Sequence, residues 1–277
     1  MADPARNPFA AAKTPFLTSL LGGPLTAELE PLSAPGVQFR HASATLSRPG
    51  LPQSATGQTT LLTGLNGADI MNGHYGPWPG PTLKRTLDKG TLFSEVLAAG
   101  GAVALANAFP PGYFQALQTG QQRVNVPVYA AQRAGVRLRT PADYAAGNAT
   151  SADLDGGYSG EARPLAEAGA QLARLAQSYD LTFFDFWLSD TAGHRWPLEG
   201  ATDLVRKLDT FLAGVVPALG DVTLLITSDH GNLEDKSTRS HTRNPVPLLA
   251  FGPQAGVFAE VESLLGVAPA LRSALAG

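Results

Sequence analysis

The chain contains no cysteine. That absence excludes disulfides, thiolate nucleophiles and sulfur-built zinc sites together. It also fits a reducing compartment, and we expect a cytoplasmic protein. Long hydrophobic runs are missing too: no stretch approaches the ~18 uninterrupted apolar residues of a membrane span. The opening residues, Met1-Ala-Asp-Pro-Ala-Arg-Asn-Pro8, lack the apolar core of a signal peptide. The formal net charge is −3 and there is no basic run, so neither nucleic acid nor membrane is an expected partner.

What is present suits an enzyme of ordinary composition. The 277 residues are 44% apolar and 16% charged, enough for one large α/β domain with a small insert. The 30 glycines and 22 prolines suggest many loops at strand ends. Thr14-Pro15 reads as the start of a helix that Gly22-Gly23 stops. Residues 37–46 alternate like a strand, and Gln53-Ser54 begins a helix. Residues 67–82 look like an exposed loop, 91–99 like a helix, and 102–106 like a strand. Helices are expected at 161–178, 199–219 and 261–275, with apolar strands at 181–188, 222–227 and 246–251. This alternation predicts a doubly wound, mainly parallel sheet with helices on both faces. Residues 1–107 and 159–277 would form the core, and the irregular stretch 108–158 a small cap.

Two strand ends carry the chemistry. The run 222–227 is followed by Asp229-His230, and His241 returns a short loop later. The run 181–188 is followed by Asp190-x-x-x-His194, whose spacing puts both side chains on one helical face. Open α/β sheets place ligands at such carboxyl ends. Two Asp and three His supply most of a two-metal centre: Asp190, His194 and His241 for one ion, Asp229, His230 and a further oxygen for the other. Mixed oxygen and nitrogen donors favour Mn²⁺ or Zn²⁺. Singly, each residue has a plainer reading as a helix cap or a packed imidazole. Ser54 sits at a helix N-terminus, in positive potential that suits a phosphate, but also where ordinary caps sit. Lys236, Arg239 and Arg243 could clamp a substrate phosphate or be solvated loop charges. Asn107 ends the 102–106 strand at the same sheet edge, or serves a turn.

Ser228-Asp-His-Gly-Asn232, His241-Thr-x-Asn-Pro-Val-Pro247 and Asp190-x-x-Gly-His194 together closely resemble the alkaline phosphatase superfamily. The nearest branch is the cofactor-independent phosphoglycerate mutases and phosphopentomutases. Gln53-Ser-Ala-Thr-Gly-Gln58 resembles that branch's nucleophile segment. The resemblance implies a metal-dependent phosphoester hydrolase or phosphotransferase acting on a small phosphorylated substrate. It implies that Ser54 is the nucleophile and a metal ligand, sharing its ion with Asp229 and His230. Thr56 is the fallback nucleophile. Asp190, His194 and His241 would hold the second ion.

Three departures qualify that expectation. The family opens on an apolar strand ending in a metal-binding Asp, and nothing before Thr14 resembles it, so the sheet is expected to lack a central strand. The mutases carry a large second domain for which this chain has no room. Where relatives have a histidine after the nucleophile-segment glycine, this chain has Gln58. The alternative reading is therefore a degenerate, non-catalytic member that binds metal or ligand.

Overall fold

Residues 3–276 are described in a computed structural model. Local signals set most helix boundaries. Pro15–Leu21 is helical and ends at Gly22, left-handed at φ 80°. Leu92–Ala98 starts from a reciprocal cap between Thr91 and Ser94. The amphipathic helices Leu165–Ala176 and Leu198–Val215 pack against each other. The first begins four residues later than the sequence suggests, with Pro164 as its N-cap. Residues 67–82 are not one loop: Asn66 caps a short helix, Gly67–Ile70, and a second helix begins at Pro81.

Six strands are present among the described residues: β1 (Leu32–Ala34), β2 (Val37–Ala42), β3 (Val103–Leu105), β4 (Leu181–Phe183), β5 (Leu224–Ile226) and β6 (Val246–Phe251). They form two sheets, β1-β2-β6-β5 and β3-β4. Every pairing in the larger sheet is antiparallel, and only β3 and β4 pair in parallel. The expectation of one mainly parallel sheet is corrected here. The loop joining β5 to β6 leaves and rejoins the same end of the sheet, so β6 must run back against β5.

Side-chain alternation covers both faces of the larger sheet. Leu249 and Phe251 of β6 join Phe39, Leu172, Phe211 and Val215 on one side. Val246, Leu248 and Ala250 join Phe258, Leu264 and Val267 of the chain's last segment on the other. β3 and β4 are backed by a third cluster with Leu62, Leu83 and Phe93. Val126, Val128 and Ala131, from the stretch 108–158, belong to that third cluster. The bridges Asn107–Thr150 and Ala108–Arg139 tie the same stretch to the end of β3. Among the described residues, no helix is long and apolar enough to cross a membrane.

Candidate metal centre

Three short elements meet at one rim of the fold. The helix Ser54–Thr63 presents Ser54 at its first turn, with Gln53 as N-cap. Gly57 lets this helix lie against the loop after β5, because a Cβ there would stand 2.4 Å from the Asp229 carbonyl oxygen. Asp190 and His194 share a face of the helix Leu188–Arg195, one turn apart. The loop after β5 contributes Asp229 and His230, then folds back through a Gly231–Thr242 bridge to deliver His241. Glu234 holds that loop by accepting from the Asn232 amide at 2.6 Å and from Asn244 Nδ2 at 2.9 Å.

Asp190, His194 and His241 form a cluster whose ligand atoms lie within 4.8 Å of one another. Asp190 Oδ1 is 3.3 Å from His194 Nε2 and 3.5 Å from His241 Nε2. The two imidazoles face each other, Nε2 to Nε2, at 3.0 Å. His194 Nδ1 lies 2.5 Å from the Arg239 carbonyl, and His241 Nδ1 lies 2.7 Å from the Pro52 carbonyl. A carbonyl only accepts, so each Nδ1 carries the proton and each Nε2 presents a lone pair. Two lone pairs and a carboxylate converging on one point call for a proton or a cation between them. This donor set fits a divalent metal. Burial opposes ionisation of Asp190, but its hydrogen bond to His241 and the three neighbouring imidazoles outweigh that and hold its carboxyl below the usual range. Burial pulls His241 down, yet the Asp190 hydrogen bond and the Pro52 carbonyl prevail and raise it.

A second convergence adjoins the first. Ser54 Oγ lies 2.9 Å from His230 Nε2. His230 is buried, its Nδ1 is directed at the Gly231 carbonyl, and its ring stacks on His241 at 3.7 Å. Asp229 Oδ1 stands 3.6 Å from His230 Nε2, while its Oδ2 accepts from Gln58 Nε2 at 2.8 Å.

The remaining residues singled out in the sequence make other contacts. Thr56 is buried and donates to the Gln53 carbonyl at 2.9 Å. Lys236 donates to the Ala192 and Gly193 carbonyls at the end of the Asp190 helix. Arg239 meets the centre through its backbone carbonyl and its side chain is exposed. Arg243 is exposed and donates to the Gly50 carbonyl at 2.5 Å. Asn107 bonds the backbone of Asp185 in both directions, at 2.8 and 2.9 Å.

Asp185 and Asn125, which carry no motif, belong to this neighbourhood, as does Asn232, which ends the Ser228-Asp-His-Gly-Asn232 run. Asp185 follows β4 and accepts from Asn125 Nδ2 at 2.6 Å. Burial, then the charge of Asp229, push its carboxyl up to about 7, against the Asn125 hydrogen bond. A charge inside the apolar run 181–188 was the available signal. Asn232 Nδ2 reaches Asp190 Oδ1 at 3.4 Å and His194 Nε2 at 3.2 Å. Its seat exists because Gly193 has no side chain: a Cβ there would fall 1.3 Å from Asn232 Oδ1.

Comparison with known proteins finds relatives by sequence and by fold. Residues 159–275 match the family model described as Metalloenzyme superfamily. The 2,3-bisphosphoglycerate-independent phosphoglycerate mutase of Agrobacterium fabrum is 35% identical over 106 residues, which is 35% of this chain and 21% of that enzyme. Its counterpart in Vibrio vulnificus is 38% identical over 108 residues, 36% of this chain and 21% of that enzyme. The matched region thus spans about a fifth of the length of these relatives. The structure of alkaline phosphatase from the Antarctic bacterium TAB5 superposes with a TM-score of 0.52 at 12% identity, covering 86% of this chain and 88% of that one. At that identity the likeness is one of fold. Together these findings show the resemblance to the alkaline phosphatase superfamily, with a core like that of the cofactor-independent phosphoglycerate mutases.

Proposed function

From a core of the alkaline phosphatase superfamily type, we propose a metal-dependent phosphoryl-transfer enzyme with Ser54 as its nucleophile. The observation that carries this reading is the meeting of Ser54 Oγ with His230 Nε2 at 2.9 Å, beside Asp229 and at a helix N-terminus. One divalent ion would be held by Asp190, His194 and His241, and a second by Asp229, His230 and Ser54. Mn²⁺ and Zn²⁺ suit these donors. Such ions polarise phosphoryl oxygens and lower the pKa of a bound hydroxyl.

The protein's own groups divide the remaining work. Where no ion intervenes, His230 Nε2 holds the Ser54 hydroxyl in place, and at the helix start the N–H groups ahead of Thr56, whose own N–H donates to the Tyr75 carbonyl, would face an incoming phosphate. Ser54 Oγ gives up its proton to water and forms a bond to phosphorus as the bond to the leaving oxygen breaks, and that oxygen keeps the electron pair and takes up a proton from water. Water, or a second hydroxyl of the substrate, then takes the phosphoryl group, the Oγ–phosphorus bond breaks, and Ser54 Oγ recovers a proton. The substrate is a small phosphorylated molecule. Residues 108–158, as a cap, help select it, since Phe109, Tyr113 and Asn125 border the cavity behind the site. We assign the protein to the cytoplasm.

The test is metal content per chain, measured alongside p-nitrophenyl phosphate turnover with added Mn²⁺ or Zn²⁺. Two ions per chain, and turnover lost in Ser54→Ala and Asp229→Ala, are expected. At most one ion and no turnover would overturn the catalytic reading. A binding-only member is the second reading. It is favoured by one fact: the single three-ligand cluster among the described residues is Asp190, His194 and His241.

A further inference from the structure

Two aromatic rings stand exposed at the mouth of the cavity that serves the candidate centre. Tyr158 is 56% and Trp187 43% exposed. Both border the cavity of about 1280 Å³ that Ser54, Asp190 and Asp229 also line. Their rings are nearly parallel, tilted by 18°, with centroids 6.2 Å apart. Neighbouring rings behave differently. Phe184 and Phe186 pack against the buried core, whereas Trp187 and Tyr158 belong to none of its clusters. Large apolar rings left in water beside a cleft mark a binding face, since burying them elsewhere would be favourable.

Ordered backbone holds both rings in place. Trp187 is the N-cap of the helix Leu188–Arg195. It precedes Asp190 by three residues, about 4.5 Å along the helix axis. Tyr158 sits in the turn Gly157–Ser159. Buried Asp153 fixes that turn by accepting from the Gly156 amide at 3.1 Å and from the Tyr158 amide at 2.7 Å. Asp155 ties the same segment to the helix Leu198–Val215 by accepting from Lys207 Nζ at 2.8 Å. A turn anchored this firmly presents a side chain that packs into no core, so core packing does not account for it.

The pair stands on one side of the nucleophile. His230 Nε2 is 3.8 Å from Asp190 Oδ1 and 2.9 Å from Ser54 Oγ. In-line attack by Ser54 would put the leaving oxygen on the far side of phosphorus. Ser54 stands with Asp229 and His230, so that far side is the side of Asp190 and Trp187.

We propose that Trp187 and Tyr158 form the subsite for the leaving group, and that the substrate is a phosphoester whose leaving group carries a planar aromatic ring. The ring stacks against this pair while the phosphoryl group meets Ser54. Aromatic faces attract each other beyond the area they bury, whereas a saturated ring of equal size gains the area alone. This inference rests on the phosphoryl-transfer reading above. Trp78, 37% exposed, borders the same cavity but belongs to the attacking side. Its loop lies on the start of the Ser54 helix, where a Cβ on Gly76 would be 3.1 Å from the Ser54 amide nitrogen. Trp78 is therefore the internal control.

Phosphonates, whose carbon–phosphorus bond is not cleaved, test the subsite by binding alone, with Zn²⁺ or Mn²⁺ added. Benzylphosphonate places a ring where an aryl ester would, and 3-phenylpropylphosphonate sets it back as a nucleotide does. Each is compared with its cyclohexyl counterpart by calorimetry. Benzyl alcohol is compared with cyclohexylmethanol through the shift of the Trp187 indole N–H resonance. One aryl phosphonate should bind about fivefold tighter, or more, than its saturated counterpart. Trp187→Leu and Tyr158→Leu should bring the two within about twofold, Trp187→Phe should keep part of the preference, and Trp78→Leu should leave it intact. The better linker tells an aryl ester from a nucleotide. Phosphonate binding with no preference for the aryl ring, or a preference that survives Trp187→Leu, would overturn the subsite and keep the phosphoryl-transfer reading. No phosphonate binding, with benzyl alcohol still preferred at Trp187, would sink that reading and keep the aromatic site. No ring preference in either probe set would overturn the proposal outright. So would a dimer of the parent chain that Trp187→Leu dissociates, since the rings would then be an interface between copies.

Discussion

Single side chains set the electrostatics of the centre, and two of them can be tested directly. Asp185 is half-buried beside Asp229, and its carboxyl is pushed up to about 7. Its folded pKa lies above the unfolded value of about 3.9, so between the two the folded state binds more protons. Stability from this group is thus greatest at low pH and is lost as pH rises from about 4 to about 7. A shift of that size corresponds to about 4 kcal/mol, and water entering the adjoining cavity screens it, so we expect roughly 1–3 kcal/mol. Urea unfolding in chelator at pH 5 and pH 8 should show this loss, and Asp185→Asn should be less sensitive by that amount. An identical pH dependence in both proteins would refute the assignment. At the other end of the centre, the opposed Nε2 atoms of His194 and His241 require a cation or a proton. Adding Zn²⁺ or Mn²⁺ to chelator-treated protein should therefore raise Tm, because a ligand that binds only the folded state stabilises it. Asp190→Ala should abolish most of that rise. A full rise in the variant would mean that the ion sits elsewhere.

Elements bring these side chains together through close approach. Gly193 and Gly57 each sit where a Cβ would strike the loop after β5, at Asn232 Oδ1 and at the Asp229 carbonyl. Overpacking of this kind costs about 1–3 kcal/mol. Gly193→Ala should lose that much by chemical unfolding and should bind the Asp190 metal more weakly, since Asn232 must leave its place against Asp190 and His194. Gly57→Ala should lose similar stability but shift the Ser54 side of the centre. Equal stability of either variant to the parent would mean that the loop yields freely. The motif glycines are therefore spacers between elements, a role readable in the sequence only as their fixed distance from Ser54 and His194. Much else at this scale was legible. β6 and the Pro15–Leu21 helix follow directly from apolar alternation and from Thr-Pro and Gly-Gly punctuation. Asp190, His194, Asp229, His230 and His241, singled out at the two strand ends, are brought together by the fold. Asp185 was not legible as part of that group, because a lone charge in an apolar run has no periodic signature. Strand direction was not legible either. A six-residue apolar run is the same whether its neighbour is parallel or antiparallel, and only the return path of the 227–245 loop decides it.

At the scale of the whole molecule, a cavity of about 1280 Å³ bordered by β4 and β5 makes the core uneven, and stability should report that. Leu248 is fully buried in β6 and packed on all sides. Leu224 in β5 has comparable chemistry but borders the cavity. A side chain facing a gap forfeits dispersion contacts on that side and is already partly wet. Leu248→Ala should cost about 2–5 kcal/mol, the ordinary range for a packed leucine. Leu224→Ala should cost less than about 1.5 kcal/mol, because truncation there enlarges an existing space and removes fewer contacts. Chemical unfolding of the two variants beside the parent measures the difference. If the two losses were equal, β4 and β5 would be in contact in solution, and the sheets would be closed upon each other. A clear difference would locate the weakest-packed region of the fold along the cavity that Ser54, Asp185 and Asp229 also line, so that the candidate metal centre stands at the edge of the least rigid part of the core.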